Sequence, residues 1–456
     1  MYDLAVIGGG PGGYAAAIRA AQLGASVVLA ECAETGGTCV NRGCIPSKVW
    51  LRAADLLQRF ETGEEFGIHA PVKEIDFNAI VARKNGVSTE IGLGMEALLQ
   101  NNAVEVINGR AVLKSPQALD IDGRIIETKK IIIATGSSLS APQIAGFENA
   151  AMTTDEVLEM TAVPESILVC GSGYIEVEMA YLLNAFGCKV LVAAGSARIL
   201  PQEDSDTSQR VAQALREKGV EIIARASLES VMTTETGVTC NLAGPKERRV
   251  KVEKILVSAR EPNISGLGLE KLGVALNEDK GIRVNDRLET SVEGIYAVGD
   301  AAGGWMLSHG ASSMSVFAAE NAMGAHNRYP FNLIPRCLWT QPEMGAVGLS
   351  EEDAEKKGYD VETGVFPYAI NGLAMVRNQV DGAVKIVSDA RYGEILGVHI
   401  VGTHATEVIA EAVMAMQLEA TVGELARSIR VHPTFSEAVV DAARDAGNWA
   451  LYLPRS

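Results

Sequence analysis

Gly36-Gly37-Thr38-Cys39-Val40-Asn41-Arg42-Gly43-Cys44-Ile45-Pro46-Ser47-Lys48 places two cysteines, four residues between them, among glycines and just ahead of a proline and a lysine. Sulfurs at this spacing can close a small ring, and a nearby ammonium favours the thiolate. Read alone, the stretch also fits two unrelated free thiols. Zinc is the third use, but no second CxxC or HxxxH stands near to complete four ligands, so no metal is expected. The seven cysteines (Cys32, Cys39, Cys44, Cys170, Cys188, Cys240, Cys337) are odd in number and scattered. That is no secreted disulfide framework, and in a reducing compartment a close pair is more often catalytic.

Upstream of the pair, Leu4 to Ile7 is a short apolar run, followed by Gly8-Gly9-Gly10-Pro11-Gly12-Gly13. A helical stretch from Tyr14 to Leu23 comes next, then a strand from Ser26 into Glu31. Gly8, Gly10 and Gly13 give GxGxxG between strand and helix, with an acid about twenty residues on. The first glycine makes the turn, the second admits a pyrophosphate, and the third lets the helix pack on the strand. Glu31 is placed to bind a ribose hydroxyl, with the phosphates at the helix N-terminus.

Downstream, the cysteines lead into a helix from about Ile45 to Arg59, a polar helix over Asp76 to Asn101, and short strands around Val104 to Leu113 and Ala118 to Ile126. Lys130 to Ser137 is a buried strand running into the turn Thr135-Gly136-Ser137, which fits a nucleotide edge or a plain strand end. A second dinucleotide fold starts at Ser166: strand to Cys170, turn Gly171-Ser172-Gly173, a helix from Val177 to Phe186, and a strand Lys189 to Ala193. Its pattern is broken twice. Glu176 stands where the third glycine is expected and Ala194 where the ribose-binding acid is expected, and both changes weaken a dinucleotide site.

Gly294 to Asp300 reads as a strand ending in an acid, suited to a polyol chain at the carboxyl end of a sheet or to a helix N-cap. After about Asn332 the pattern becomes mixed α+β. Ala383 to Ser388 and Ile395 to Val401 alternate like antiparallel strands, and Thr406 to Glu419 carries an apolar stripe of Val408, Ile409, Ala412, Val413 and Met416. His432-Pro433-Thr434-Phe435-Ser436-Glu437 opens a helix with Pro433 early. The spacing lets Glu437 reach the imidazole and fix its tautomer, as a base requires, although a helix start with a chance histidine has the same signature.

With 456 residues the chain has room for about three domains. No apolar run approaches the roughly 18 residues a membrane span needs. The formal charge of −17 disfavours nucleic acid and anionic membranes as partners. The opening residues already form a strand, leaving no room for a signal peptide, so a cytoplasmic location is expected.

Two dinucleotide folds, Cys-x4-Cys after the first, and a His-to-Glu pair near the end together resemble the FAD-dependent pyridine nucleotide-disulfide oxidoreductases. The likeness spans the chain, and GGTCVNRGCIPSK, ATGS, GIYAVGD and HPTFSE stand closest to the dihydrolipoamide dehydrogenases among them. The resemblance implies an α/β fold class: two Rossmann-like domains, one for FAD and one for NAD(P), plus a C-terminal α+β dimerisation domain. The expected divisions are 1–142 with 265–332 for FAD, 143–264 for NAD(P), and 333–456 for the interface.

It also implies that Gly8, Gly10, Gly13, Glu31, Thr38, Lys48 and Ala111 surround FAD. Thr135, Gly136, Ser137, Asp300 and the segment Met306-Leu307-Ser308-His309 would complete that site. Cys39 would exchange with the substrate disulfide, while Cys44 would lie against the flavin as the charge-transfer thiolate. Lys48 would pair with Glu178, and Tyr174 would gate a nicotinamide pocket formed with Gly171, Gly173 and Ala259. His432 and Glu437 would act on the cysteines of the other subunit of a homodimer.

The resemblance therefore implies an enzyme oxidising dihydrolipoyl groups on a carrier protein, passing electrons through Cys39–Cys44 and FAD to NAD. Nothing after Cys337 is cysteine, so relatives with a C-terminal redox pair are excluded. Ala194-Gly195-Ser196 lacks the arginines of NADP-specific glutathione reductases, while Arg198 matches the lipoamide enzymes. Glu176 and Ala194 leave neither an NAD nor an NADP signature, and Gly310 replaces a usual lysine or alanine. Two alternatives remain: an NAD(P)H-dependent reductase of a small disulfide, and a flavoprotein electron relay with an impaired nicotinamide site.

Overall fold

The run Leu4-Ala5-Val6-Ile7 is apolar at every position, as a strand covered on both faces must be. In the computed structural model, which describes residues 1–148, 150–234 and 237–454, it is the centre of a largely parallel sheet. Strand Tyr2–Ile7 pairs in parallel with Val27–Glu31 on one side and Arg124–Ile133 on the other, with Ile7 opposite both Ala30 and Ile133. Ile295–Ala297 adds a further parallel strand beside Ile131–Ile133, so a segment far along the chain completes the first sheet. Ala111–Ser115 and Ala118–Ile121 extend the sheet antiparallel from Arg124–Ile133.

Helix Pro11–Gln22 begins three residues before the expected Tyr14. Pro11 supplies the fixed φ of a first helical turn, and Gly13 must lie inside it, because a Cβ there would meet the Gly8 carbonyl oxygen at 1.6 Å. Ser315 in helix Ser308–Ala322 donates to the Gly12 carbonyl at 2.5 Å, and Ser312 donates to that of Pro11 at 3.4 Å. The N-terminal turns of the two helices therefore lie side by side.

The second unit repeats the architecture. Strands Glu221–Ala224, Lys189–Ala194, Ser166–Cys170, Lys254–Val257 and Ala151–Thr153 form one parallel sheet, and an antiparallel sheet of Ser227–Thr234, Gly237–Ala243 and Arg248–Val252 packs against it. Helix Tyr174–Ala185 follows its glycine turn, again starting earlier than Val177.

In the third unit, Arg336–Leu338, Met344–Gly348, Ile395–Val401, Ala383–Asp389 and Val361–Pro367 make an antiparallel sheet. Alternating strands normally keep one face wet, yet every residue of Ala383–Asp389 and Ile395–Val401 is buried. Helices Ala405–Gln417 and Glu437–Ala446 cover one face. On the other, Lys385 is enclosed by Asp204 at 3.1 Å, Asp206 at 3.2 Å and Glu351 at 2.6 Å, which clamps this unit onto the second. A lysine buried this deeply needs such partners to stay charged. Among the described residues no helix is long and apolar enough to cross a membrane.

Candidate active site

The cysteine stretch folds as helix Gly37–Asn41 and helix Cys44–Thr62, so Cys39 lies mid-turn and Cys44 opens the longer helix. Glycines let this segment sit against the first nucleotide turn. Gly36 donates its N–H to the Gly9 carbonyl at 2.9 Å, and a Cβ on Gly37 would come within 2.8 Å of the Gly10 Cα.

The two cysteines are unbridged thiols in contact, with the Cys39 Sγ–H donating to Cys44. That hydrogen bond is the main reason the Cys44 thiol is lowered to about 7, against the opposing effect of burial; the Lys48 ammonium and a hydrogen bond from Ser308 lower it further. The helix N-terminus adds to the same bias. Cys39 is pushed up, first by its role as donor to Cys44 and then by burial. The arrangement holds one thiolate and one thiol, the pairing that disulfide exchange uses.

In the reduced protein, ultraviolet thiolate absorbance is expected to rise with pH through a first midpoint of about 7, below the ordinary 9.0. The lowered value means the thiolate persists above that midpoint and is protonated below it. Burial drives the other shifted cysteines upward, Cys240 to about 11 and Cys170, Cys188 and Cys337 to about 12, so they titrate later. Replacing Cys39 by Ala removes the donor and moves the midpoint up. A first midpoint near 9.0 in the native chain would contradict the assignment.

Lys48 reaches Glu178 at 2.7 Å, and its ammonium lies 4.0 Å from the centroid of the Trp339 ring. The Trp339 backbone N–H donates to the other oxygen of Glu178 at 3.3 Å. One lysine thus ties the cysteine helix, the second dinucleotide unit and the third unit together. Sequence reading reaches Ser308 only as part of its segment and misses Trp339, because their contacts cross hundreds of residues.

Residues around the first turn suit a flavin dinucleotide. Helix Pro11–Gln22 has no side-chain cap at Gly10, so its N-terminal end can face a phosphate, and the nearest atom to an added Gly10 Cβ lies 3.8 Å away. Glu31 accepts from Gly9 N at 2.5 Å and Ala33 N at 2.7 Å, which orients its carboxylate beside the turn. The Thr135 hydroxyl is buried with no protein partner, while Ser137 donates to Asp300 at 2.5 Å. Asp300 is not the cap of the short helix Gly299–Ala302, since Val298 occupies that position.

Arg260, missed in the sequence, donates to Ser137 Oγ at 2.8 Å and reaches Thr38 Oγ1 at 3.5 Å, linking the turn to the cysteine stretch. Gly136 accepts from the Asn263 backbone at 2.9 Å. Ala259 accepts from Ser140 N at 2.8 Å, at the junction of the two dinucleotide units. Met306 and Leu307 line a cavity of about 530 Å³ beside Gly304 and Trp305. His309 turns away to the Pro335 carbonyl at 2.6 Å, and Ala111 is buried within its strand.

In the second unit, Tyr174 donates to the buried Glu203, which also accepts from Arg336 at 2.7 Å. The Arg336 guanidinium lies 4.8 Å from the Trp305 ring centroid, and Trp305 packs edge-on to Tyr174 at 6.4 Å. This ring joins all three units at Tyr174.

His432 and Glu437 are paired at 2.9 Å through Nδ1, and Glu437 also accepts from Thr434 N at 2.8 Å. Helix Glu437–Ala446 starts only at Glu437, so Pro433 precedes it and does not lie inside it. The imidazole is 77% exposed, and Ile429 and Val431 nearby are 95% and 76% exposed.

Comparison with known proteins agrees with this geometry. The sequence profile of the pyridine nucleotide-disulphide oxidoreductases matches residues 2–315, and that of their dimerisation domain matches residues 334–443. Dihydrolipoyl dehydrogenase of Zymomonas mobilis is 38% identical over 99% of both chains, and that of Thermus scotoductus is 38% identical over the same shares. The crystal structure of LpdA from Mycobacterium tuberculosis superposes with a TM-score of 0.89 at 28% identity, covering 97% of this chain and 99% of that one.

Proposed function

Because the chain belongs to the pyridine nucleotide-disulphide oxidoreductase family, we propose that it is a dihydrolipoyl dehydrogenase working as a homodimer on the lipoyl group of a carrier protein. The observation that carries this reading is the thiol pair Cys39 and Cys44, set beside Lys48 in a segment that packs on the first dinucleotide turn. The chain divides for this purpose into FAD-binding segments 1–142 and 265–332, a nicotinamide unit 143–264, and an interface unit 333–456.

His432 of the second copy, oriented by Glu437, takes the proton of a dihydrolipoyl thiol. The resulting thiolate attacks Cys39 Sγ of the oxidised pair, the Cys39–Cys44 bond breaks, and Cys44 leaves as a thiolate stabilised by Lys48 and the helix N-terminus. The second lipoyl thiol then attacks the mixed disulfide, releasing oxidised lipoyl and reduced Cys39. Two electrons and the substrate's protons are thereby transferred. FAD, held by Gly8, Gly10, Gly13, Glu31, the Thr135–Ser137 turn and Asp300, supplies two-electron transfer between the cysteine pair and the pyridine nucleotide.

The nucleotide in this reading is NAD, bound at an atypical site. Strand Lys189–Ala194 ends without an acid for a ribose hydroxyl, and Arg198 beyond it donates to the Glu203 carbonyl at 2.9 Å. The odd, scattered set of cysteines supports a reducing, cytoplasmic setting. The test compares donors: kcat/KM for dihydrolipoamide is expected to exceed that for reduced glutathione by about 10²-fold or more. Faster turnover of glutathione would sink the reading.

A further inference from the structure

In the second dinucleotide unit, the third position of the glycine pattern does not act as a wedge between helix and strand. Glu176 sits in the first turn of helix Tyr174–Ala185 and folds back over the turn that precedes it. Its Oε1 accepts from Ser258 Oγ at 2.6 Å, and Ser258 is 3% exposed at the end of the neighbouring strand Lys254–Val257. Its Oε2 lies 2.7 Å from where a Cβ on Gly173 would be, and its Cγ lies 2.7 Å from the same point on Gly171.

The first unit provides an internal control. There the third position is Gly13, and the turn next to Gly10 is open, with no atom nearer than 3.8 Å to an added Cβ. Gly171 has a φ of 139° where Gly8 has 102°, so the second turn is also wound differently. In both units the helix starts at a glycine with no side-chain cap. At the first no side chain comes within 4 Å of an added Gly10 Cβ, and at the second a carboxylate lies over the two glycines. Open glycine turns of this kind admit a pyrophosphate because backbone can approach it and the helix N-terminus attracts it.

We infer that Glu176, pinned by Ser258, is the specificity-determining residue of the second unit: its carboxylate occupies the seat of a dinucleotide pyrophosphate and competes with it. Affinity for NAD is then set by how readily this side chain is displaced. Two features work against the ligand, the like charge of carboxylate and pyrophosphate and the space the side chain fills. The inference rests on the reading of the chain as a pyridine-nucleotide-linked enzyme.

Ser258 is what makes the arrangement persistent. An unpinned glutamate in a first helical turn would swing into water, whereas the buried hydroxyl holds this one across the gap between two strand ends. No local pattern links positions 176 and 258; only the parallel pairing of Ser166–Cys170 with Lys254–Val257 brings them together.

Binding of NAD⁺ to the oxidised holoenzyme, measured by isothermal titration calorimetry, tests the inference with four proteins: native, Glu176→Gln, Glu176→Gly and Ser258→Ala. Glu176→Gln keeps the shape and removes the charge, and is expected to lower the Kd about 10-fold. Glu176→Gly removes both obstacles and lowers it further. Ser258→Ala frees the carboxylate to leave and gives a smaller decrease. Equal Kd values for the native, Gln and Gly proteins overturn the inference, and so does weaker binding by both Glu176 variants. Reduction of the flavin by dihydrolipoamide, followed spectroscopically on the same proteins, reports on the dithiol reaction independently of nucleotide. If the native holoenzyme fails that reaction, the functional reading is lost whatever the isotherms show.

Discussion

Cys39→Ser and Cys44→Ser are each expected to reduce dihydrolipoamide turnover by about 10⁴-fold or more while leaving FAD bound. Exchange requires a sulfur–sulfur bond that can be attacked and re-formed, and a serine oxygen can do neither. The groups proposed to hold the flavin, Gly8 to Gly13, Glu31 and Asp300, make no use of either side chain, so visible absorbance of the bound flavin should survive. The two variants are also distinguishable. With Cys39 removed, Cys44 loses the donor that holds it at about 7, so its thiolate forms at higher pH. With Cys44 removed, Cys39 loses the partner to which it donates and its raised pKa falls. Steady-state assay with dihydrolipoamide, together with pH titration of the reduced proteins, checks both halves. Near-native turnover by either serine variant would end the exchange scheme.

The second large effect concerns the base. His432→Gln should lower kcat for dihydrolipoamide by about 10² to 10⁴-fold, the usual contribution of a positioned acid–base group. Glu437→Gln should cost less, because it removes the charge that orients Nδ1 and leaves the imidazole itself in place.

The proposed placement across the dimer axis has a sharper test. When Cys39→Ser and His432→Gln homodimers are mixed and allowed to reassort, each heterodimer contains one site with an intact cysteine pair and an intact histidine. Recovered activity in the mixture places the two groups on different chains. No recovery after demonstrated reassortment places them on one chain and overturns the assignment.

The exposed surface around the pair is consistent with such sharing. An imidazole that is 77% exposed beside Ile429 and Val431, themselves almost bare, is poorly placed to act as a base in bulk water. Covering this face with a second copy would bury the apolar side chains and confine the imidazole. The matched dimerisation profile over residues 334–443 includes these positions.

Much of this protein can be read from its sequence, because the deciding signals are local. Gly8, Gly10 and Gly13 are legible since their roles follow from one strand, one turn and one helix, and the tight approach of Gly13 to the Gly8 carbonyl leaves no room for any other residue. Cys39 and Cys44 are legible from spacing along a single short stretch, and Glu437 reaches His432 across five positions. Reading failed at helix starts, where Pro11 and Tyr174 begin helices before the apolar periodicity does. Ala383–Asp389 and Ile395–Val401 are the antiparallel strands their pattern indicates, while the burial of both their faces is set by packing against another unit.

The sequence by itself determined two glycine turns, a cysteine pair and a histidine–glutamate pair, because each depends on neighbours a few residues away and on steric rules that hold in any context. Tertiary structure alone decided that Ser308 and Lys48 stand beside the cysteine pair and favour its ionisation, that Arg336 and Trp305 enclose Tyr174, and that Ser258 pins Glu176 over its turn. Those contacts join strand ends and helix starts from distant parts of the chain. Their energies depend on burial and on distances of a few ångströms, which exist only once the sheets have paired and the units have packed.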